Sequence, residues 1–147
     1  KDEAEIMIKG VKDQPGVAAK ILGPIGTAKI EIDMIVQNVG SNGLADFTFT
    51  VSRNTLKNAI KVIEKNKKNM GYTTFETKNN IVKVSLIGVG MRSHAGIASK
   101  MFKCLARNKV NIRMISTSEI KISVVIDQKN LEIAVQALHN EFKLDKK

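Results

Sequence analysis

The sequence predicts an α+β fold made of two tandem βαββαβ units, at residues 1–79 and 80–147, and two observations carry that expectation. The first is an internal repeat, which is sought before any element because a missed repeat misassigns the whole fold. Pro15-Gly16-Val17-Ala18-Ala19-Lys20-Ile21-Leu22 lies over Ala95-Gly96-Ile97-Ala98-Ser99-Lys100-Met101-Phe102. Without a gap, Lys29-Ile30-Glu31-Ile32-Asp33-Met34-Ile35 then lies over Lys109-Val110-Asn111-Ile112-Arg113-Met114-Ile115. A weaker match sets Leu56, Ala59 and Ile63 over Leu131, Ala134 and Leu138. The second observation is that the apolar period switches between two and about 3.6 in the same order in both copies.

Each element follows from its own residues. Residues 5–10 and 82–88 are β-rich runs ending at glycine, hence first strands. Residues 16–28 and 96–108 carry apolar side chains at helical spacing, Val17, Ile21, Ile25 and Ile97, Met101, Leu105. Gly23-Pro24-Ile25-Gly26 interrupts the first of these. An interior proline costs roughly 3 kcal/mol, so a kink or an end is expected near Leu22. Residues 30–39 and 110–117 alternate as strands, 45–52 and 119–126 follow as second strands, and helices are expected near 54–69 and 129–141. Residues 72–77 read as the last strand of the first copy. The second copy lacks a counterpart, because residues 142–147 are short and charged, and that edge needs cover from elsewhere.

Composition bounds the function. Hydrophobic residues are 43% and charged residues 26%, the balance of a globular protein. No apolar run reaches the ~18–20 residues that a membrane span requires, and residues 1–5 are charged rather than apolar, so a cytoplasmic location without membrane contact is expected. The single cysteine, Cys104, sits in an apolar periodic stretch and reads as a buried thiol. The net charge of +10 raises nucleic acid as a partner. The lysines are mostly scattered, however, and aromatic residues are only 4%, without the aromatic and basic interleaving that stacks bases; no nucleic-acid partner is expected.

No catalytic constellation is visible. His94 and His139 are the only histidines and neither has metal-site spacing, so no metal and no cofactor are expected in this chain. The run Gly88-Val89-Gly90-Met91-Arg92-Ser93 lacks a dinucleotide fingerprint and a P-loop lysine. The strand-to-helix turns say more. Asp13-Gln14-Pro15-Gly16 and Arg92-Ser93-His94-Ala95-Gly96 both place glycine at a helix start. Free N–H groups there suit a carboxylate, and Asp13 or Asp33 could face an ammonium, which together describe a free amino acid. On the residues themselves, an alternative stays open in which Asp13 caps the helix and Gly16 permits close packing.

Asp13-Gln14-Pro15-Gly16-Val17-Ala18-Ala19-Lys20, followed by Ile30 to Asn38, resembles the first ACT domain of aspartate kinases. The run from Lys83 through Gly90-Met91-Arg92-Ser93-His94, and Ile115-Ser116-Thr117-Ser118-Glu119-Ile120, resemble the second. The resemblance implies ferredoxin-like ACT units that bind threonine or lysine at ACT–ACT interfaces, pair as a homodimer, and inhibit a separate kinase domain or catalytic subunit. ATP and Mg²⁺ would belong to that kinase domain. It also implies that the missing strand comes from chain upstream of Lys1. Carried over residue by residue, one effector pocket would use Asp13, Gly16, Ala18, Gln37, Asn111 and Ile112. A second would use Asp33, Met91, Ser93, His94, Ser118 and Glu119. Ala95 replaces a proline usual in the second turn, and Ala98 stands where relatives responding to lysine commonly carry a hydroxyl, which favours the first pocket and threonine. The rivals are an ACT module of another amino-acid enzyme or regulator, such as homoserine dehydrogenase, against which Ser116-Thr117-Ser118-Glu119 argues, and a small ferredoxin-like enzyme, for which no acid–base pair is visible.

Overall fold

A computed structural model describes residues 2–88 and 94–142, with only the backbone at 94 and 95. The chain divides into two compact units, Asp2–Asn79 and a second beginning at Asn80. Among the described residues, six strands and five helices run β1 (Asp2–Lys12), α1 (Val17–Thr27), β2 (Ile32–Val39), β3 (Leu44–Ser52), α2 (Leu56–Lys65), α3 (Lys67–Met70), β4 (Thr74–Ile87), α4 (His94–Arg107), β5 (Met114–Thr117), β6 (Lys121–Asp127) and α5 (Leu131–Phe142).

In the first unit the strand order is β2-β3-β1, with residues 74–79 of β4 beside β1. Ala4, Ile6 and Ile8 alternate inward from β1, and Phe47, Phe49 and Val51 from β3. They meet Val17, Ile21 and Ile25 of α1 and Ala59 and Ile63 of α2, so the helices cover one sheet face. Burying side chains of this size gives about 1.5–3 kcal/mol each, which is why the two periodicities find each other. The second unit repeats the plan with residues 80–87 of β4, then β6 and β5. Its core joins Val82, Val84 and Leu86 to Met101, Leu105, Ala134 and Leu138. Cys104 is buried as expected, its Sγ 3.4 Å from the Ala137 carbonyl.

Four local expectations need correction. Helix α1 does not end near Leu22 but continues through Pro24 to Thr27. Gly23, with no Cβ, removes much of the clash that a residue before proline suffers, and burial of Ile21 and Ile25 holds the turns on both sides. Residues 72–77 and 82–88 are not two strands; β4 runs without a break across Lys78-Asn79-Asn80. Asparagine has a weak strand preference, and the sheet setting overrides it here. Strand β5 is limited to Met114–Thr117, shorter than the alternation from Val110 suggested. The helix expected over 54–69 is split at Asn66, which lies between α2 and α3 and whose side chain donates back to the Val62 carbonyl at 2.8 Å. No strand follows α5 among the described residues, and 143–147 lie outside them.

Two irregularities in the first sheet determine which face the later residues of β1 and β2 occupy. Ile8 pairs with Phe47 but Val11 pairs with Ala45, so β1 carries one extra residue there. Likewise Ile32 pairs with Val51 and Ile35 with Phe49, so β2 carries one extra residue near Met34. Each is a bulge, and because side chains alternate faces, one inserted residue exchanges the faces of everything beyond it.

Candidate functional site

Strand β1 leads into a tight turn. The Val17 N–H donates to the Gln14 carbonyl at 3.1 Å, and Gly16 has φ 88° and ψ −3°. With Pro15 in the second position and a left-handed glycine in the third, this is a type II turn. Gly16 has nothing within 4 Å of where a Cβ would stand, so its backbone angle is the reason for glycine, not close packing. Gly16 is also the N-cap of α1, and no side chain caps the helix. The reading in which Asp13 serves as the cap therefore fails.

Because Val17 is committed to the turn, the next N–H groups of α1, on Ala18 and Ala19, are those that helix geometry leaves without an intrahelical acceptor. They sit at the positive end of the helix dipole. Gln37 on β2 lies opposite Phe47, which puts it on the helix-bearing side of the sheet. Asp13, Gln14, Pro15, Gly16, Val17, Ala18 and Gln37 line one hollow of about 410 Å³. That falls in the range of about 300–1,000 Å³ usual for small-ligand sites. The hollow offers amide donors to a carboxylate, the exposed Asp13 carboxylate to an ammonium, and the Gln37 amide, both donor and acceptor, to a polar side chain.

Of the expected residues, Asp13, Gly16, Ala18 and Gln37 are thus brought together. In the second unit Asn111 and Ile112 line a hollow of about 410 Å³ with Phe102, Ala106, Lys109 and Val110. Ser118 and Glu119 share the exposed turn between β5 and β6, where the Ser118 N–H donates to the Lys121 carbonyl at 2.7 Å. Asp33 is exposed on β2 and does not line the first hollow. Met91 and Ser93 lie outside the described residues, as does the side chain of His94, whose backbone opens α4. Sequence reasoning missed Gly43, whose carbonyl accepts the Asp13 N–H at 2.9 Å, since nothing local marks a contact thirty residues away. Among the described residues no three His, Cys, Asp or Glu side chains gather as a metal site requires, and no helix is long and apolar enough to cross a membrane.

Two models described as ACT domain match the chain, at residues 5–67 and 84–142. A chain from the crystal structure of aspartokinase alpha and beta subunits is 45% identical, with a TM-score of 0.91, over 97% of this chain and 94% of that one. The chain belongs to the aspartate kinase family. It corresponds to the family's ACT regulatory part, for it also matches the ligand-free regulatory subunit of aspartate kinase from Thermus thermophilus at 36% identity and a TM-score of 0.89, over 96% of this chain and 93% of that one. Aspartokinase of Pseudomonas aeruginosa is 57% identical over 145 residues, 99% of this chain. The chain spans 35% of that protein's length. These matches set aside both an ACT module of a different amino-acid enzyme and a small ferredoxin-like enzyme.

Proposed function

We propose that this ACT pair senses a free amino acid, threonine in the first instance and lysine as the alternative, and passes feedback inhibition to an aspartate kinase domain. That domain would hold ATP and Mg²⁺ and phosphorylate the side-chain carboxylate of aspartate in the cytoplasm. One observation carries the reading: the type II turn, the start of α1 and Gln37 line a single hollow with an acidic group beside amide donors. A zwitterion needs both.

Association of ACT units fits the same surface. Strands β2 and β5 lie at the outer edges of their units' strand orders, and Ile35 and Ile115, equivalent in the repeat, are 45% and 46% exposed on them. Edge strands with exposed apolar residues invite pairing. Two chains pairing through such edges would close the first hollow, with Asn111 and Ile112 as further contacts to the ligand. An amino acid held there shifts the equilibrium between arrangements of the ACT units by its difference in affinity for them, and inhibition follows that shift.

The test is Gln37→Ala. Gln37 is exposed, so its loss leaves the fold intact and removes one polar contact. A hydrogen bond worth about 0.5–1.5 kcal/mol predicts threonine binding weakened by up to about tenfold in calorimetric titration. Unchanged affinity would remove Gln37 from the site.

A further inference from the structure

The extra residue in β1 is held from outside its own strand. Gly10, with φ 74°, donates its N–H to Asp46 Oδ1 on β3 at 3.0 Å. On the other side Thr73, just before β4, donates its Oγ1–H to the Gly10 carbonyl at 3.1 Å, and its N–H to the Lys9 carbonyl at 2.8 Å. A Cβ on Gly10 would stand 2.7 Å from the Thr73 Cβ, closer than side chains come. Lys9 and Glu76 add an ion pair at 3.0 Å across the same place. Neighbours on both sides therefore fix this bulge at both of its polar groups.

Its position decides where the next residues fall. After the bulge Val11 pairs with Ala45 and returns to the core, Lys12 pairs with Leu44, and the Asp13 N–H meets the Gly43 carbonyl. Without the extra residue Gly10 would take the place of Val11 and Lys12 that of Asp13. The turn that lines the hollow would then enter one residue out of phase. A bulge that re-aims side chains next to a site is a common use of this irregularity.

We propose that Asp46 is a positioning residue for the amino-acid hollow: its carboxylate holds the Gly10 bulge and so fixes the register that delivers Asp13 and the type II turn. The proposal rests on the reading of that hollow as an effector site. Asp46 does not line the hollow. Its effect on binding is therefore transmitted through Gly10 to Asp13.

The experiment compares the full chain with Asp46→Asn and Asp46→Ala, by calorimetric titration with threonine and with lysine, and by hydrogen exchange of the Gly10 and Asp13 amides. The asparagine oxygen can still accept from Gly10, whereas alanine leaves a part-buried N–H unpaired. Asp46→Ala is expected to speed exchange at both amides and weaken binding by about tenfold, with Asp46→Asn restoring most of each. Faster exchange in Asp46→Ala with unchanged affinity, or no rescue by asparagine, would overturn the proposal. If the parent chain binds neither amino acid, the effector reading falls by itself. Amide exchange then still decides the positioning claim, and unchanged protection of Asp13 in Asp46→Ala would overturn it.

Discussion

Gly10 and Gly16 bracket the entrance to the candidate site with nearly the same backbone angle, φ 74° and 88°, but with different surroundings. Replacing each with alanine separates conformational strain from steric conflict. At Gly16 nothing stands within 4 Å of the new Cβ, so only the left-handed backbone opposes it, at about 1–2 kcal/mol. At Gly10 the same strain applies, and the new Cβ also meets Thr73 Oγ1 and, at 2.7 Å, Thr73 Cβ. Overpacking of that kind adds about 1–3 kcal/mol. Gly10→Ala is therefore expected to cost about twice as much as Gly16→Ala. Urea unfolding followed by circular dichroism would measure both, the midpoint falling while the slope stays constant. A Thr73→Gly background removes the obstructing atoms, so there Gly10→Ala should cost no more than Gly16→Ala, a coupling that a double-mutant cycle reads directly. Equal costs in the parent chain, or no coupling to Thr73, would refute the close approach of β1 and the start of β4.

Thr50 has no exposed surface, and its Oγ1 accepts the Met34 N–H at 3.0 Å, in the bulge of β2 that sets the face on which Gln37 falls. Thr50→Val should destabilise the fold by about 1–3 kcal/mol in the same urea assay, because a buried donor loses its acceptor. Lys29 and Lys109 occupy equivalent left-handed positions after α1 and α4, at φ 62° and 60°. Lys29→Gly and Lys109→Gly should each stabilise by about 0.5–1 kcal/mol, since the glycine adopts this conformation without the Cβ penalty. Burial raises the Cys104 thiol above its ordinary value, with Glu141 adding to the shift and Arg107 opposing it. The folded state holds that proton more tightly than the unfolded chain, so the stability it contributes is complete below about pH 9 and is lost as pH rises through the folded value. Native protein should resist thiol alkylation at pH 8 and become reactive on unfolding; rapid labelling of folded protein would contradict the burial.

The repeat, the strand and helix order and the Pro15-Gly16 turn were legible in the sequence because each rests on residues close together in the chain. The type II turn needs only proline then glycine, and α1 needs only Val17, Ile21 and Ile25 on one stripe. What escaped depends on distant partners. Pro24 suggested a broken helix, but the packing of Ile21 and Ile25 against β1 and β3 holds it together. Residues 78–81 lie outside both expected strands, 72–77 and 82–88, yet β4 runs through them without a break. The two bulges left no local mark: Gly10 could as well end a strand, and its partner Asp46 lies thirty-six residues on. In the site, Asp13, Gly16, Ala18 and Gln37 follow from motif matching, whereas the reason that they share one hollow lies in the register set by β3.

The most direct test of the account is calorimetric titration of this chain with threonine, then with lysine, then with both. Saturable binding of threonine, weakened by Gln37→Ala, is the predicted result, and enhancement by lysine would place a second effector in the second unit. Absence of heat with either amino acid, alone or together, would contradict the assignment of the hollow at Asp13, Gly16, Ala18 and Gln37 as an effector site.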